Sequence, residues 1–127
     1  MKNPKRILVI DDSTHIRMSA MKMLKEMEFD NIDTAEDGKV GLDKFRSMHP
    51  DIVLLDGVMP ELDGLTVLKE MKKERPGTIV IISSSISARE TILEFKTSGA
   101  DSYLLKPYDR IKFSDAITKA VSRLKVA

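Results

Sequence analysis

Four short apolar runs in this chain of 127 residues each lead into side chains that are capable of chemistry. Asp11 and Asp12 follow the first run, and Asp56 follows the second. Ser84 and Lys106 follow the third and fourth runs in the same way. If the run ends meet in the folded chain, three carboxylates lie beside a hydroxyl and an ammonium group. Because like charges repel, such a cluster needs a cation or a proton.

The candidate ligands at these run ends are all oxygen atoms. Oxygen ligands select a hard ion, and Mg²⁺ suits a site in which a few carboxylates are joined by water and phosphate. Lys106 offers a point charge that can pair with a carboxylate or with phosphate oxygens. The combination is typical of phosphoryl transfer to a carboxylate nucleophile. A single aspartate after a strand is more often a turn or cap residue, so the prediction depends on the whole set.

Other kinds of phosphate site fit the sequence less well. Haloacid-dehalogenase-like phosphatases need a second aspartate two residues after the nucleophile, and neither Asp56-Gly57-Val58 nor Asp11-Asp12-Ser13 supplies one. No G-x-x-x-x-G-K-[ST] motif is present, which argues against a P-loop nucleotidase. No G-x-G-x-x-G motif follows the first apolar run, which argues against a dinucleotide site.

The apolar runs also predict the elements that position these side chains. The runs at 7–10, 52–55, 79–82 and 103–105 are continuous, which is typical of strands buried on both faces of a parallel sheet. A weaker, alternating segment at 31–35 suits an edge strand. Helical periodicity follows the strands at 14–28, 37–47, 63–74, 88–98 and 110–125. Five βα units predict a three-layer α/β sandwich, whose ligands bind beyond the carboxyl ends of the strands.

Composition and charge exclude several classes of protein. The chain is 42% hydrophobic and 32% charged, which is typical of a globular domain. Its 21 Lys and Arg against 20 Asp and Glu argue against general binding to nucleic acid or to a membrane surface. It has no cysteine, and no apolar stretch approaches the ~20 residues that span a bilayer. We therefore expect one cytoplasmic domain over residues 1–127.

The motifs together resemble the CheY-like receiver domain of two-component response regulators. The matching segments cover the chain in order: Asp11-Asp12-Ser13, Asp51 through Gly64, Ser84-Ser85, Gly99-Ala100 and Lys106-Pro107. The resemblance implies a flavodoxin-like, doubly wound parallel sheet of five strands in the order 2-1-3-4-5, with five helices. It also implies that the function of the chain is signalling rather than turnover of an external substrate.

The resemblance implies a role for each acidic residue. Asp56 would be the phosphoacceptor, which attacks a phosphohistidine on a partner histidine kinase or histidine phosphotransfer protein. Asp12 would bind Mg²⁺ directly and Asp11 directly or through water. Asp56 and the backbone carbonyl of Val58 would complete the share of the metal ligands that the protein supplies.

The resemblance also implies the parts of a switch. Ser84 would hydrogen-bond the new phosphoryl group and Lys106 would pair with it, while Pro107 would follow a cis peptide bond. Tyr103 would swing inward when Ser84 moves. The surface formed by the fourth helix, the fifth strand and the fifth helix would then change its affinity for a downstream protein target. We expect a monomer, with dimerisation on phosphorylation as the alternative.

Two further readings of the function stay open from the sequence. The chain could be the receiver part of a longer regulator that also has a DNA-binding or enzymatic domain. It could instead be a metal-dependent phosphatase that acts on other molecules, although no substrate-pocket motif favours this. Val58 and Ile86, each two residues beyond a site residue, have no polar group to orient water, which predicts slow loss of the phosphoryl group.

Overall fold

The computed structural model describes residues 3–60 and 62–124, which form one five-stranded parallel sheet with helices on both faces. The strands are β1 (Asn3–Ile10), β2 (Phe29–Ala35), β3 (Ile52–Asp56), β4 (Ile79–Ser84) and β5 (Ser102–Leu105). The helices are α1 (Thr14–Glu26), α2 (Gly38–Met48), α3 (Gly64–Glu74), α4 (Arg89–Thr97) and α5 (Arg110–Leu124). The strand order is β2-β1-β3-β4-β5, which confirms the predicted fold and topology.

The central strands are continuous apolar runs because helices cover both of their faces. Every residue of β3 and β4 is buried. Alternation along β1 divides the interior in two: Leu8 and Ile10 pack on the side of α2, α3 and α4, whereas Ile7 and Val9 pack on the side of α1 and α5. Burying one such side chain contributes roughly 1.5–3 kcal/mol, so these two layers stabilise the sheet beneath its carboxyl edge.

The helices α1, α2 and α3, which follow β1, β2 and β3, each begin at a side-chain cap. Ser13, Asp37 and Asp63 each accept a hydrogen bond from the backbone N–H three residues later. Such caps satisfy an amide that the first turn of a helix leaves unpaired. They therefore set where each helix begins relative to the strand ends.

The element boundaries differ from the predicted ones at a few places. β1 begins at Asn3 rather than at 7: its first four residues alternate in burial, and Asn3 and Arg6 pair with β2 on either side of a register shift. α1 ends at Glu26 rather than at 28, since Glu28 has a positive φ of 70°. Residue 125, at the end of the last predicted helix, lies outside the described residues. Among the described helices, none has the length and apolar composition that crossing a bilayer requires.

Candidate functional site

Three aspartates meet at the carboxyl edge of the sheet. Asp11 and Asp12 follow β1, and Asp56 ends β3, which pairs in parallel with β1 through Ile10 and Leu55. One carboxylate oxygen from each aspartate lies within 4.8 Å of the others. Asp11 and Asp56 are buried, whereas Asp12 is exposed. Adjacent parallel strands that end level with each other are thus what brings residues 11 and 56 together.

Lys106 reaches this cluster from the end of the edge strand β5. It follows β5, which is separated from β3 by β4, and its backbone N–H donates to the carbonyl oxygen of Ser84. Its Nζ lies 2.6 Å from Oδ2 of Asp11 and 3.3 Å from Oδ1 of Asp56. The peptide bond between Lys106 and Pro107 is cis. One ammonium group therefore pairs with two of the three carboxylates.

The carboxyl group of Asp56 is electrostatically perturbed. Burial raises its pKa from 3.8 to about 6, and the neighbouring Asp11 carboxylate raises it as well. The Val58 N–H, which donates to Oδ1 at 3.0 Å, and the Lys106 ammonium oppose this effect by favouring the charged form. Three carboxylates facing one lysine leave an excess of negative charge, which a bound cation would relieve.

The donor set fits a hard divalent ion. Oδ2 of Asp11 is buried, and the Lys106 ammonium lies 2.6 Å from it. A carboxylate oxygen has two lone pairs, so a second cation can still be bound beside this ammonium group. With Asp12 exposed, water can complete the coordination, as Mg²⁺ prefers. The cluster therefore suits Mg²⁺, and among the described residues its metal-ligating side chains are all carboxylates.

Ser84 lies at the end of β4 beside this cluster. Its neighbour Ser83 is opposite Asp56 in the register of β3 and β4. A Cβ built on Gly57 would lie 3.4 Å from Cβ of Ser84, so the serine side chain faces the residue that follows Asp56. Its Oγ is buried and accepts a hydrogen bond from the N–H of Ile86 at 3.1 Å. The hydroxyl proton stays available for an acceptor in the site.

Tyr103 and the side chain of Val58 lie outside the acidic cluster. Tyr103 is half-buried on β5, where its ring packs at 6.0 Å from that of Phe95 and its hydroxyl donates to the carbonyl of Ile86. Val58 turns its backbone N–H toward Asp56 and exposes 56% of its surface. The structure thus joins Asp11, Asp12, Asp56 and Lys106 directly, with Ser84 adjacent.

Two side chains near the site have contacts that sequence reasoning missed. Arg17 on α1 donates from Nη1 to the backbone carbonyl of Asp11 at 2.6 Å. The hydroxyl of Tyr108 lies 2.7 Å from Oγ of Ser83, beneath the sheet edge, and burial raises the pKa of this tyrosine. The sequence shows that Ser83 and Tyr108 both carry hydroxyl groups. No local pattern in the sequence indicates that these two groups meet.

Comparison with known proteins points to one family. A family model described as "Response regulator receiver domain" matches residues 7–118. The chain is 31% identical over 117 residues to the chemotaxis protein CheY of Bacillus subtilis. This match covers 92% of this chain and 98% of that protein. It is 38% identical over 104 residues to a protein-glutamate methylesterase/protein-glutamine glutaminase of Archaeoglobus fulgidus, covering 80% of this chain and 30% of that one.

A solved structure shows the same architecture. The crystal structure of a CheY-like response regulator receiver domain protein from Methanospirillum hungatei matches this chain with a TM-score of 0.90 at 27% identity. The match covers 98% of this chain and 100% of that one. Sequence and fold therefore agree on the family to which this chain is similar.

Proposed function

Because this chain belongs to the response regulator receiver domain family, we propose that it is a phosphoacceptor that switches a protein-binding surface. Asp56 accepts a phosphoryl group from the phosphohistidine of a histidine kinase or a histidine phosphotransfer protein. The observation that supports this best is the placement of the Lys106 ammonium 3.3 Å from Oδ1 of Asp56, within the cluster of three aspartates. That arrangement supplies a nucleophile and a cation for the transferred group.

The contacts of Asp56 suggest which of its oxygens attacks. Oδ1 is engaged by the Val58 N–H and by the Lys106 ammonium, so we assign Oδ2 as the oxygen that approaches phosphorus. The new O–P bond forms as the P–N bond to the donor imidazole breaks, and the electron pair of that bond leaves with the ring. Asp56 must be ionised to attack, and Lys106 favours that state.

Mg²⁺ held by Asp11, Asp12, Asp56 and the carbonyl of Val58 would neutralise charge on the transferred group. The remaining work falls to the side chains of the chain itself. Lys106 stays paired with Asp11 and can follow the phosphoryl oxygens as negative charge builds up beside it. The hydroxyl of Ser84 donates to the same group. Ser84 ends β4 and Lys106 follows β5, so each residue adjoins a loop to which its movement can spread.

The switch follows from the charge that phosphorylation adds. A phosphoryl group brings roughly −1.5 to −2 charges and several strong acceptor oxygens. When Ser84 turns toward it, the loop after β4 moves, and that loop is tied to Tyr103 through Ile86. The surface of α4, β5 and α5 exposes Leu93 and Leu105, which can bind a downstream protein once the ring of Tyr103 has moved.

Phosphorylation with a small-molecule donor tests the proposal without a partner. Wild type, Asp56→Asn and the control Asp37→Asn are incubated with acetyl phosphate and Mg²⁺ and analysed by intact mass spectrometry. Asparagine preserves the capping role of Asp37, so this control should fold normally. We expect one phosphoryl group on wild type and on the control, and none on Asp56→Asn. Unmodified wild type, or modified Asp56→Asn, would refute the assignment of Asp56.

A second candidate is the receiver part of a longer regulator. The match to the Archaeoglobus fulgidus methylesterase, of which this chain covers 30%, favours this possibility. A reading frame that continues past Ala127 into another domain would establish it. The chemistry proposed for Asp56 would be the same in either case, but the target of the switch would then be an attached domain.

A further inference from the structure

We propose that Arg17 is a positioning residue for metal binding: it holds the peptide group between Asp11 and Asp12 so that their carboxylates point at one ion. This inference rests on the proposed function, because it assumes that the acidic cluster binds Mg²⁺. The observation behind it is the 2.6 Å hydrogen bond from Nη1 of Arg17 to the backbone carbonyl of Asp11.

Arg17 contacts the backbone of Asp11 and is held in place by its own helix. Arg17 lies in the first part of α1 and is half-buried, and its guanidinium reaches back six residues to the loop that follows β1. Its Nη2 donates to Oγ1 of Thr14 at 3.1 Å, which fixes the orientation of the guanidinium plane. A charged donor shortens and strengthens a hydrogen bond to a carbonyl. The arginine is therefore anchored to its own helix and to the acidic loop.

The carbonyl that Arg17 holds belongs to the peptide group that links the two metal ligands Asp11 and Asp12. The C=O of Asp11 and the N–H of Asp12 belong to one planar peptide group, so its orientation sets the directions in which both side chains leave the backbone. The other contacts of Asp11 lie elsewhere: its N–H donates to Ala35, and its side chain meets Ser13 and Lys106. Arg17 supplies the contact that fixes the plane linking the two ligands.

Charge and geometry make opposite predictions for the loss of Arg17. If this residue acted only as a nearby positive charge, removing it would make the cluster more negative and would tighten Mg²⁺ binding. If it positions the ligands, removing it lets the peptide rotate and weakens binding. Loss of a group that orients metal ligands typically costs about 10-fold or more in affinity. The sign of the change therefore separates the two roles.

The test is titration calorimetry of Mg²⁺ into wild type, Arg17→Met, Arg17→Lys and Lys22→Met, with circular dichroism to verify folding. Lys22 is an exposed lysine on the same helix and serves as the matched loss of one positive charge. We expect about 10-fold weaker binding by Arg17→Met. Arg17→Lys keeps the positive charge but lacks the planar guanidinium that donates to both Asp11 and Thr14. It should therefore also bind Mg²⁺ more weakly than wild type. Lys22→Met should bind as well as wild type or slightly better.

Each outcome has one meaning. Arg17→Met and Arg17→Lys that bind Mg²⁺ as tightly as wild type, or more tightly, would overturn the positioning role while leaving the proposed function intact. Wild type that fails to bind Mg²⁺ would contradict the proposed function itself. If Arg17→Met does not fold, Arg17→Lys, which keeps the charge and most of the side-chain length, decides the question by the same criterion.

Discussion

The hydroxyl of Tyr103 donates a 2.7 Å hydrogen bond to the backbone carbonyl oxygen of Ile86. The N–H of Ile86 in turn donates to Oγ of Ser84. One residue therefore connects the hydroxyl beside the acidic cluster with an aromatic ring on β5. If Ser84 moves and displaces Ile86, the hydrogen bond of Tyr103 breaks or changes partner, so this chain of contacts is one link from the site to the surface of α4, β5 and α5.

Tyr103→Phe should uncouple the surface from the site. The ring still packs against Phe95, so the fold and the rate of labelling by acetyl phosphate should be unchanged. The difference in amide hydrogen exchange that phosphorylation causes in β5 should shrink, because the link to Ile86 is lost. Hydrogen exchange with mass spectrometry, on both proteins with and without the phosphoryl group, measures this. A full-sized difference in the variant would show that the relay has no role.

Asp56→Asn should stabilise the metal-free protein in a pH-dependent way. Burial raises the pKa of Asp56 to about 6, so the folded state binds a proton more tightly than the unfolded state does. Stability contributed by this group is full below about pH 4 and falls as pH rises through about 6. The Lys106 ammonium and the Val58 N–H already favour the charged form of Asp56 and offset part of the cost of burial, so we expect a gain of about 1 kcal/mol for the variant at pH 8.

Urea unfolding in the presence of a chelator, at pH 4 and at pH 8, checks this expectation. The advantage of Asp56→Asn should be present at pH 8 and absent at pH 4. Equal stability of the two proteins at pH 8 would mean that Lys106 fully compensates for the burial of the carboxylate.

Polar substitutions at the mouth of the site should shorten the life of the acyl phosphate. Val58 and Ile86 expose 56% and 36% of their surfaces, and neither offers a group that could orient an attacking water. We expect Val58→Asn and Ile86→Glu each to accelerate loss of the phosphoryl group by about tenfold, below the full effect of a general base. The decay of the phosphorylated form after removal of the donor gives the rate.

Leu105→Asn is the control for this comparison, because it places a polar group on an exposed apolar residue of β5. Its acyl phosphate should decay as slowly as that of wild type. An unchanged or longer lifetime in Val58→Asn and Ile86→Glu would refute the explanation by water access.

Gly64→Ala should destabilise the protein and distort the site. A Cβ at Gly64 would collide with the backbone oxygen of Asp56 and would lie 2.8 Å from Cα of Gly57. Backbone atoms cannot turn aside as a side chain does, so the start of α3 or the end of β3 must shift. We expect a loss of about 1–3 kcal/mol in the free energy of unfolding, together with slower labelling by acetyl phosphate.

Gly77→Ala provides the matched substitution. A Cβ at Gly77 meets no atom within 4 Å, so stability and labelling should stay close to those of wild type. Urea unfolding of both variants makes the comparison. Similar stability of the two would mean that the contact of α3 with the end of β3 is looser than the structure indicates.

The sequence alone determined the elements and the chemistry at their ends. Strands covered on both faces must be apolar throughout, so β3 and β4 were visible as continuous runs whose polar ends marked the edge of the sheet. Asp11, Asp12, Asp56 and Lys106 could be assigned to one edge because parallel strands end on the same side. The order of the strands came from the resemblance to receiver domains, because local patterns do not specify which strands pair.

Only the tertiary structure decided which groups touch. That Lys106 lies closer to Asp11 than to Asp56, that Arg17 bonds to the carbonyl of Asp11 rather than to a carboxylate, and that Tyr108 meets Ser83 all depend on register and side-chain direction. These are set by packing among segments far apart in the chain. A shift of a few ångströms in that packing would turn an ion pair into two charges that do not interact. Hydrophobic periodicity in the sequence does not predict distances this small.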